Sequence, residues 1–174
     1  MGMIQAPDLT PADRLDRMVR QYEKDLLRIC FIYLRDRTAA EDAVQETFLK
    51  AYRNLDSFRG ESSEKTWLTR IAVNCCRDCR RSAWYRYIDR RVSVDQLPVP
   101  SSAPPSDDHI ALTMAIMKLK PKYMEAVLLY FYEGYPIKEI AKMLDLTESA
   151  VSARIRKAKQ KLRAELEGGE DDEK

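Results

Sequence analysis

The stretch that decides the fold is residues 136–163, PIKEIAKMLDLTESAVSARIRKAKQKLR. Apolar residues recur there at helical spacing in two runs, on either side of an interruption at residues 145–147. The first run is Ile137, Ile140, Ala141 and Leu144, and the second is Val151, Ile155, Ala158 and Leu162. Thr147 stands at an N-cap position, and Glu148 suits the positive end of a helix. The pattern predicts two helices joined by a tight turn, the second beginning near Glu148.

The second of these helices carries positive charge that no acidic residue opposes. Between Ser149 and Arg163 it has six basic residues and no acidic one. A short helix, a tight turn and a basic helix form the helix-turn-helix arrangement, whose second helix enters the DNA major groove N-terminus first. This geometry would place four small residues against base edges, namely Ser149, Ala150, Ser152 and Ala153. The alternative is a solvated basic helix packed on its neighbour by an ordinary apolar stripe.

Composition limits the fold and the cellular setting. The chain has 174 residues, 45% hydrophobic and 33% charged, which is enough for one or two small domains. Five glycines and few alternating runs favour an all-α fold. The N-terminus lacks a signal-peptide pattern, and no run approaches the roughly 20 apolar residues that span a bilayer. We therefore expect a cytoplasmic protein without membrane insertion of its own.

The four cysteines, Cys30, Cys75, Cys76 and Cys79, fit reduced core thiols better than a disulfide framework. No second pair of cysteines recurs at metal-ligand spacing, and the one histidine, His109, lies across a proline-rich segment. The sequence therefore predicts no metal site and no cofactor. A thiol-based redox enzyme that uses Cys75, Cys76 and Cys79 remains an alternative.

The helix predicted over residues 38–56 has two distinct faces. Its core stripe is Ala40, Ala43, Val44, Thr47, Phe48, Ala51, Tyr52 and Leu55. Earlier in the chain, a first helix is predicted near Asp13 and an amphipathic helix over residues 22–34. Its other face includes Asp42, Gln45, Glu46 and Leu49. An exposed leucine beside carboxylates suits a protein partner, although a single exposed leucine is common on protein surfaces.

A basic face characterises the next predicted helix, which follows a polar loop at residues 57–66. Arg70, Asn74, Arg77 and Arg81 are spaced to line one side, with Lys65 and Arg80 at its edges. Residues 64–91 contain eight basic and three acidic residues, and Trp84, Tyr85 and Tyr87 lie close by in sequence. Basic side chains with aromatic platforms suit single-stranded DNA. In the alternative interpretation the aromatic rings, and Trp67, pack on the domain.

A proline-rich linker divides the chain. Residues 98–108 hold four of the eight prolines, and helices are predicted on both sides. We predict two small helical domains joined by this linker, the C-terminal one a helix-turn-helix. The boundaries are an N-terminal tail at 1–12, a domain at 13–91, the linker at 92–109, a domain at 110–166 and an acidic tail at 167–174.

Three strings in this order resemble bacterial RNA polymerase sigma factors of the extracytoplasmic-function (ECF) group, over roughly residues 13–166. AEDAVQETFLKAY at 40–52 resembles their polymerase-binding segment, and KTWLTRIAVNCCRDCRR at 65–81 resembles the helix that melts and reads the -10 element. Residues 119–163 resemble the domain that reads the -35 element. The resemblance implies a dissociable specificity subunit of RNA polymerase without a catalytic site.

The same resemblance implies a role for each candidate residue. Asp42, Gln45, Glu46 and Leu49 would dock on the clamp of the largest core polymerase subunit. The non-template strand of the -10 element would be held by Lys65, Arg70, Asn74, Arg77, Arg80 and Arg81, with the loop at 56–66. The -35 duplex would be read by Ser149, Ala150, Ser152, Ala153 and Arg154, while Arg156, Lys157 and Lys159 contact phosphates.

Promoter DNA and an anti-sigma factor are the further partners that the resemblance implies. A stand-alone helix-turn-helix regulator that binds as a dimer is the competing interpretation. It predicts a palindromic site, whereas the sigma interpretation predicts a monomer that needs polymerase.

Overall fold

The protein is all-α in the part of the chain that the computed structural model describes, residues 10–82 and 106–168. No strand occurs in these residues. Their helices are α1 (Pro11–Leu34), α2 (Arg37–Arg53), α3 (Glu64–Arg81), α4 (Asp107–Lys118), α5 (Pro121–Val127), α6 (Ile137–Leu144) and α7 (Glu148–Leu166). The all-α prediction is confirmed. The flanking tails, most of the linker, and Trp84, Tyr85 and Tyr87 lie outside the described residues.

Helix α1 is one long helix, whereas the sequence analysis divided this region into a helix near Asp13 and another over residues 22–34. Thr10 caps it in a capping box, since its Oγ1 accepts from the Asp13 amide at 3.2 Å and Asp13 Oδ2 accepts from the Thr10 amide at 3.1 Å. Beyond Pro11 the helix contains no proline or glycine to interrupt it. It ends at Arg35, whose positive φ of 58° reverses the chain into α2.

The N-terminal domain (α1–α3) buries the predicted stripe of α2 with one exception. Phe48 and Ala51 of α2 and Leu68 of α3 are buried against Leu26 and other residues of α1. Tyr52, which the sequence analysis placed in the core stripe of α2, is 46% exposed. Helical spacing puts it at the edge of that stripe, one residue after the buried Ala51.

The C-terminal domain (α4–α7) contains the predicted helix-turn-helix. Asp145 ends α6 in the left-handed region, with φ 54°, and the Leu146 amide bonds back to the Ala141 carbonyl at 2.9 Å. Thr147 then caps α7, because its Oγ1 accepts from the Ala150 amide at 3.2 Å. The two helices, the tight turn and the start at Glu148 are confirmed.

Helix α5 continues into a π-helical turn over Leu128–Tyr132. The Glu133 amide donates to the Leu128 carbonyl at 3.1 Å, which is the wider π-helical bonding pattern. This turn places Glu133 just beyond α5, on the side of the domain that meets α3.

The two domains pack directly on each other. The larger apolar cluster crosses their boundary, joining Tyr33 and Leu34 of α1 to Ile116 and Met124 of α4 and α5. Ser106 caps α4 by accepting from the His109 amide at 3.3 Å, so helical structure begins inside the segment predicted as linker. The packing across this boundary therefore sets the position of the exposed faces of one domain relative to those of the other.

Candidate polymerase and nucleic-acid interfaces

Helix α2 presents the predicted polymerase-binding face to solvent. Asp42 and Gln45 are exposed, Glu46 is half-buried beside Lys50 at 3.8 Å, and Leu49 is 50% exposed. Tyr52 lies one turn beyond Leu49 and is nearly as exposed. The face thus combines carboxylates with two large apolar side chains, of which the sequence analysis recognised only Leu49. The edge position of Tyr52 in its stripe was the available signal.

The basic face of α3 is divided between solvent and the domain boundary. Arg70, Asn74 and Arg81 are exposed. Lys65 is instead ion-paired with Glu133 at 2.7 Å, and Arg77 donates from Nε and Nη2 to Glu125 at 2.9 and 2.8 Å. Part of the predicted DNA-binding face is therefore occupied by carboxylates of the C-terminal domain.

Arg80 packs within the N-terminal domain, whereas Arg81 faces solvent. Its Nη1 donates to the Tyr33 carbonyl at 3.1 Å, and its guanidinium lies 5.5 Å from the Tyr33 ring centroid. Arg81 keeps most of its exposure and lies 3.9 Å from Asp78. The structure does not bring all six predicted -10 residues onto one surface.

The loop before α3 is anchored by aromatic packing at its two ends. Phe58 and Trp67 have ring centroids 4.9 Å apart, and Ser63 caps α3 by accepting from the Thr66 amide at 3.0 Å. Gly60 has φ 71°, a conformation that favours glycine. Trp67 is half-buried, which agrees with its interpretation as a structural residue.

The recognition helix α7 exposes most of the predicted reading surface. Ser149, Ser152 and Ala153 are exposed and Ala150 is half-buried. Among the basic residues, Arg156, Lys157 and Lys159 are exposed, and Lys159 Nζ lies 5.1 Å from the Phe131 ring centroid. Arg154 differs from them, because its side chain is mostly buried and lies 3.8 Å from Glu125.

An apolar groove between α4 and α7 was not recognised in the sequence. It has a volume of about 530 Å³, and its rim includes Leu112, Phe131 and Leu166, all partly exposed. Leu112 falls at helical spacing with the buried Ala115, Ile116 and Leu119, so the sequence carries no signal for the groove.

The thiols of α3 lie in surroundings that disfavour ionisation. Burial raises the pKa of Cys75 and of Cys79, and a hydrogen bond with Cys30 together with burial raises the pKa of Cys76 well above its usual value. Nucleophilic cysteines need a lowered pKa and access to solvent. These positions therefore argue against the thiol-redox alternative.

Comparison with known proteins identifies the two domains. Residues 18–86 match the family model for Sigma-70 region 2, and residues 109–162 match the model for Sigma-70 region 4. The chain belongs to the ECF RNA polymerase sigma factor family. It is an alternative sigma factor, which directs core RNA polymerase to promoters, and the resemblance drawn from the sequence is confirmed. Sigma factors are non-catalytic subunits of RNA polymerase.

Similar sigma factors and solved structures support this assignment over most of the chain. ECF sigma factor SigM of Mycobacterium tuberculosis is 31% identical, over 84% of this chain and 74% of that protein. SigW of Bacillus subtilis is 29% identical, over 88% of this chain and 89% of that protein. CnrH, solved with the cytosolic domain of CnrY, has a TM-score of 0.67 at 26% identity, covering 90% and 89% of the two chains.

A further solved structure shares the fold. RpoE of Bartonella quintana, solved with the anti-sigma factor NepR, has a TM-score of 0.72 at 21% identity, covering 88% of this chain and 97% of that one.

Within residues 10–82 and 106–168 of this sigma factor, no helix has the length and hydropathy to cross a bilayer. The same residues contain no cluster of three or more potential metal ligands.

Proposed function

We propose that this sigma factor docks on the clamp of the largest core polymerase subunit through the exposed face of α2. Asp42, Gln45 and Glu46 supply acidic and amide groups, and Leu49 supplies an apolar side chain that a partner can cover. Tyr52 extends this face by one turn. Tyrosine is enriched among the residues that dominate binding energy at interfaces, whereas isolated surface charges contribute less.

For the -10 element, we assign the non-template strand to α3 and the loop before it. Arg70, Asn74 and Arg81 are exposed for contact with the strand. Lys65 and Arg77 join them once the C-terminal domain no longer covers α3. Arg80 completes the proposed set from its position beside Tyr33 of α1. Trapping unstacked bases offsets a few kcal/mol of unstacking per step, which favours melting of the duplex.

For the -35 element, we assign the first turns of α7 to the major groove. Ser149, Ala150, Ser152, Ala153 and Arg154 are the proposed base-reading residues. Arg156, Lys157 and Lys159 are the proposed phosphate contacts, because their exposed charges follow the groove-facing turns. Short side chains at the reading positions allow a close approach of the helix to the bases.

Binding to polymerase makes the two weak DNA contacts cooperate. Each domain alone makes few phosphate contacts, whereas a fixed separation on the enzyme makes the second contact intramolecular. On this proposal the domains extend over residues 13–91 and 110–166, the protein has no catalytic site of its own, and it acts in the cytoplasm with the polymerase. An anti-sigma factor is a further proposed partner.

The observation that carries the proposal is the placement of three separate polar surfaces on α2, α3 and α7 of a sigma-family chain. Its test is reconstituted transcription with purified core polymerase and a promoter library. We expect the full chain to redirect initiation to promoters that share one -10 and one -35 sequence. Failure to bind core, or stable dimers on a palindromic site without polymerase, would instead favour a stand-alone regulator.

A further inference from the structure

The loop between α2 and α3 is fixed at both ends and exposed at its tip. At its start, the buried Leu55 begins a 3₁₀ turn, and the Phe58 amide donates to the Leu55 carbonyl at 3.2 Å. At its end, Ser63 caps α3. Residues 59–62 between these points are exposed, and Gly60 turns the tip with φ 71°. The loop therefore presents a short tip to solvent from two fixed ends.

A ring contact joins the two ends of this loop. Phe58 at its start and Trp67 in the first turns of α3 have ring centroids 4.9 Å apart, with 34° between the ring planes. Helical spacing puts Arg70 and Asn74, three and seven residues further on, on the same side of α3 as Trp67. The loop therefore adjoins the end of α3 at which the exposed residues proposed to hold the -10 strand begin.

The last contact that fixes the loop comes from α1. Arg17 Nη1 donates to Glu64 Oε2 at 2.9 Å, and Arg17 Nη2 donates to Glu64 Oε1 at 2.5 Å. Glu64 is the first residue of α3, so this pair holds the position at which the loop becomes a helix. The hydrogen bond with Glu64 raises the pKa of Arg17 above its usual value. Two parallel hydrogen bonds fix orientation as well as distance.

Helix stability alone does not account for this pair. A carboxylate in the first turn of a helix interacts favourably with the helix dipole without any partner, and a half-exposed ion pair adds little stability. What the pair adds is a connection between α1 and the end of the loop across 47 residues of sequence. Both residues belong to the N-terminal domain, so the connection does not depend on contacts with the C-terminal domain.

We propose that Arg17 is a positioning residue for base recognition in the -10 element. Through Glu64 it holds the loop at 56–66 in the conformation that receives an unpaired base. A loop that is already ordered loses less conformational freedom when the base enters, and its contacts stay aligned with one base in preference to the others. The inference rests on the proposed assignment of the -10 strand to α3 and this loop.

The test measures base preference with holoenzyme reconstituted from the full chain and core polymerase. The templates are forked promoters in which the non-template strand of the -10 element is unpaired, and each unpaired position carries each of the four bases in turn. The preference ratio is the highest affinity divided by the lowest, at the position where the four bases differ most. Fluorescence of 2-aminopurine at that position reports extrusion of the base from the stack.

We expect Arg17→Ala and Glu64→Gln each to lower the preference ratio about fivefold while affinity for core polymerase is unchanged. The double variant should lose no more than either single variant, because both substitutions remove the same contact. Arg17→Lys keeps the charge but not the paired geometry, so its ratio should fall between those of wild type and Arg17→Ala. A smaller folded fraction would reduce binding to all four bases alike, so the ratio separates positioning from a purely structural role.

Arg20→Ala is the matched control, since Arg20 is an exposed arginine of the same helix that pairs with Asp16 one turn away. Its preference ratio should equal that of wild type. An unchanged ratio in Arg17→Ala, or additive losses in the double variant, would overturn the inference. If circular dichroism shows that Arg17→Ala does not fold, Arg17→Gln is judged by the same ratio. A wild-type holoenzyme without base preference at any unpaired position would refute the -10 assignment itself, and the inference with it.

Discussion

Arg77 of α3 and Glu125 of α5 form two parallel hydrogen bonds, 2.9 and 2.8 Å long, across the boundary between the two domains. The hydrogen bonds to Glu125 raise the pKa of Arg77 further above its usual value. The same carboxylate lies 3.8 Å from Arg154 of α7, so one side chain links the proposed -10 and -35 surfaces. A partner that binds Arg77 competes with Glu125 for its guanidinium group.

Charge reversal at Asp42 should strongly weaken core polymerase binding without unfolding the protein. Asp42 is exposed on α2, so Asp42→Arg leaves the apolar core intact. Replacing this carboxylate at an interface hot spot is expected to cost about 2 kcal/mol of binding free energy, roughly thirtyfold in affinity. Co-purification with core polymerase and circular dichroism measure the two effects. Glu23→Arg, the same change on the exposed side of α1, should bind normally. Lost helicity in Asp42→Arg would mean that this face was assigned wrongly.

Truncation of the exposed apolar pair on α2 should weaken polymerase binding more than protein stability. Leu49→Ala and Tyr52→Ala are each expected to weaken binding by about 1–2 kcal/mol. Each should change the free energy of unfolding by no more than about 0.5 kcal/mol. Titration with core polymerase and urea unfolding give these values. Gln21→Ala on α1 serves as an exposed control. A large stability loss with normal binding would place Tyr52 back in the core.

Loss of single charges from α7 should weaken promoter binding uniformly across sequences. Arg156→Ala and Lys157→Ala remove exposed charges, so each should lower the slope of log affinity against log salt by about one. The measurement is holoenzyme binding to a promoter library at several salt concentrations, with Lys24→Ala on α1 as control. A changed sequence preference at constant slope would show that these residues read bases instead.

Stability should fall in alkaline solution because of the buried thiols. The hydrogen bond with Cys30 and burial hold the pKa of Cys76 above the 9.0 of an ordinary thiol, so the folded chain retains a proton that the unfolded chain releases. The free energy of unfolding should then drop above pH 9.0, by at most about 1.4 kcal/mol per pH unit for this group. Burial raises the pKa of Tyr33 as well, which adds a further loss above pH 10.0.

Urea unfolding of wild type and of Cys76→Ala at a series of pH values measures this dependence. The variant is less stable at neutral pH, since it leaves a cavity, but its stability should decline less steeply above pH 9.0. Cys79→Ala should change the slope less, because Cys79 is only half-buried. If the free energy of unfolding declined equally with pH in wild type and in Cys76→Ala, this explanation would be wrong.

Local sequence signals predicted the helices well, and the helix boundaries and buried faces less well. The N-cap at Thr147 and the stripe from Val151 to Leu162 were predicted because capping and periodicity act within a few residues. The long α1 was divided in the prediction, since a polar stretch inside a helix resembles a loop when its capping box is not considered. Tyr52 was misplaced because a stripe's edge is defined by the neighbouring helices rather than by spacing.

The sequence by itself determined the all-α class, the helix-turn-helix and the family, because short-range hydrogen bonding and apolar periodicity are encoded in neighbouring residues. It placed Arg70, Asn74, Arg77 and Arg81 on one face as well. Only the tertiary structure decided that Arg77 pairs with Glu125, 48 residues away, while its neighbours on that face remain exposed. Packing between domains depends on the shapes and charges of two complete surfaces, and no local pattern in the chain contains that information.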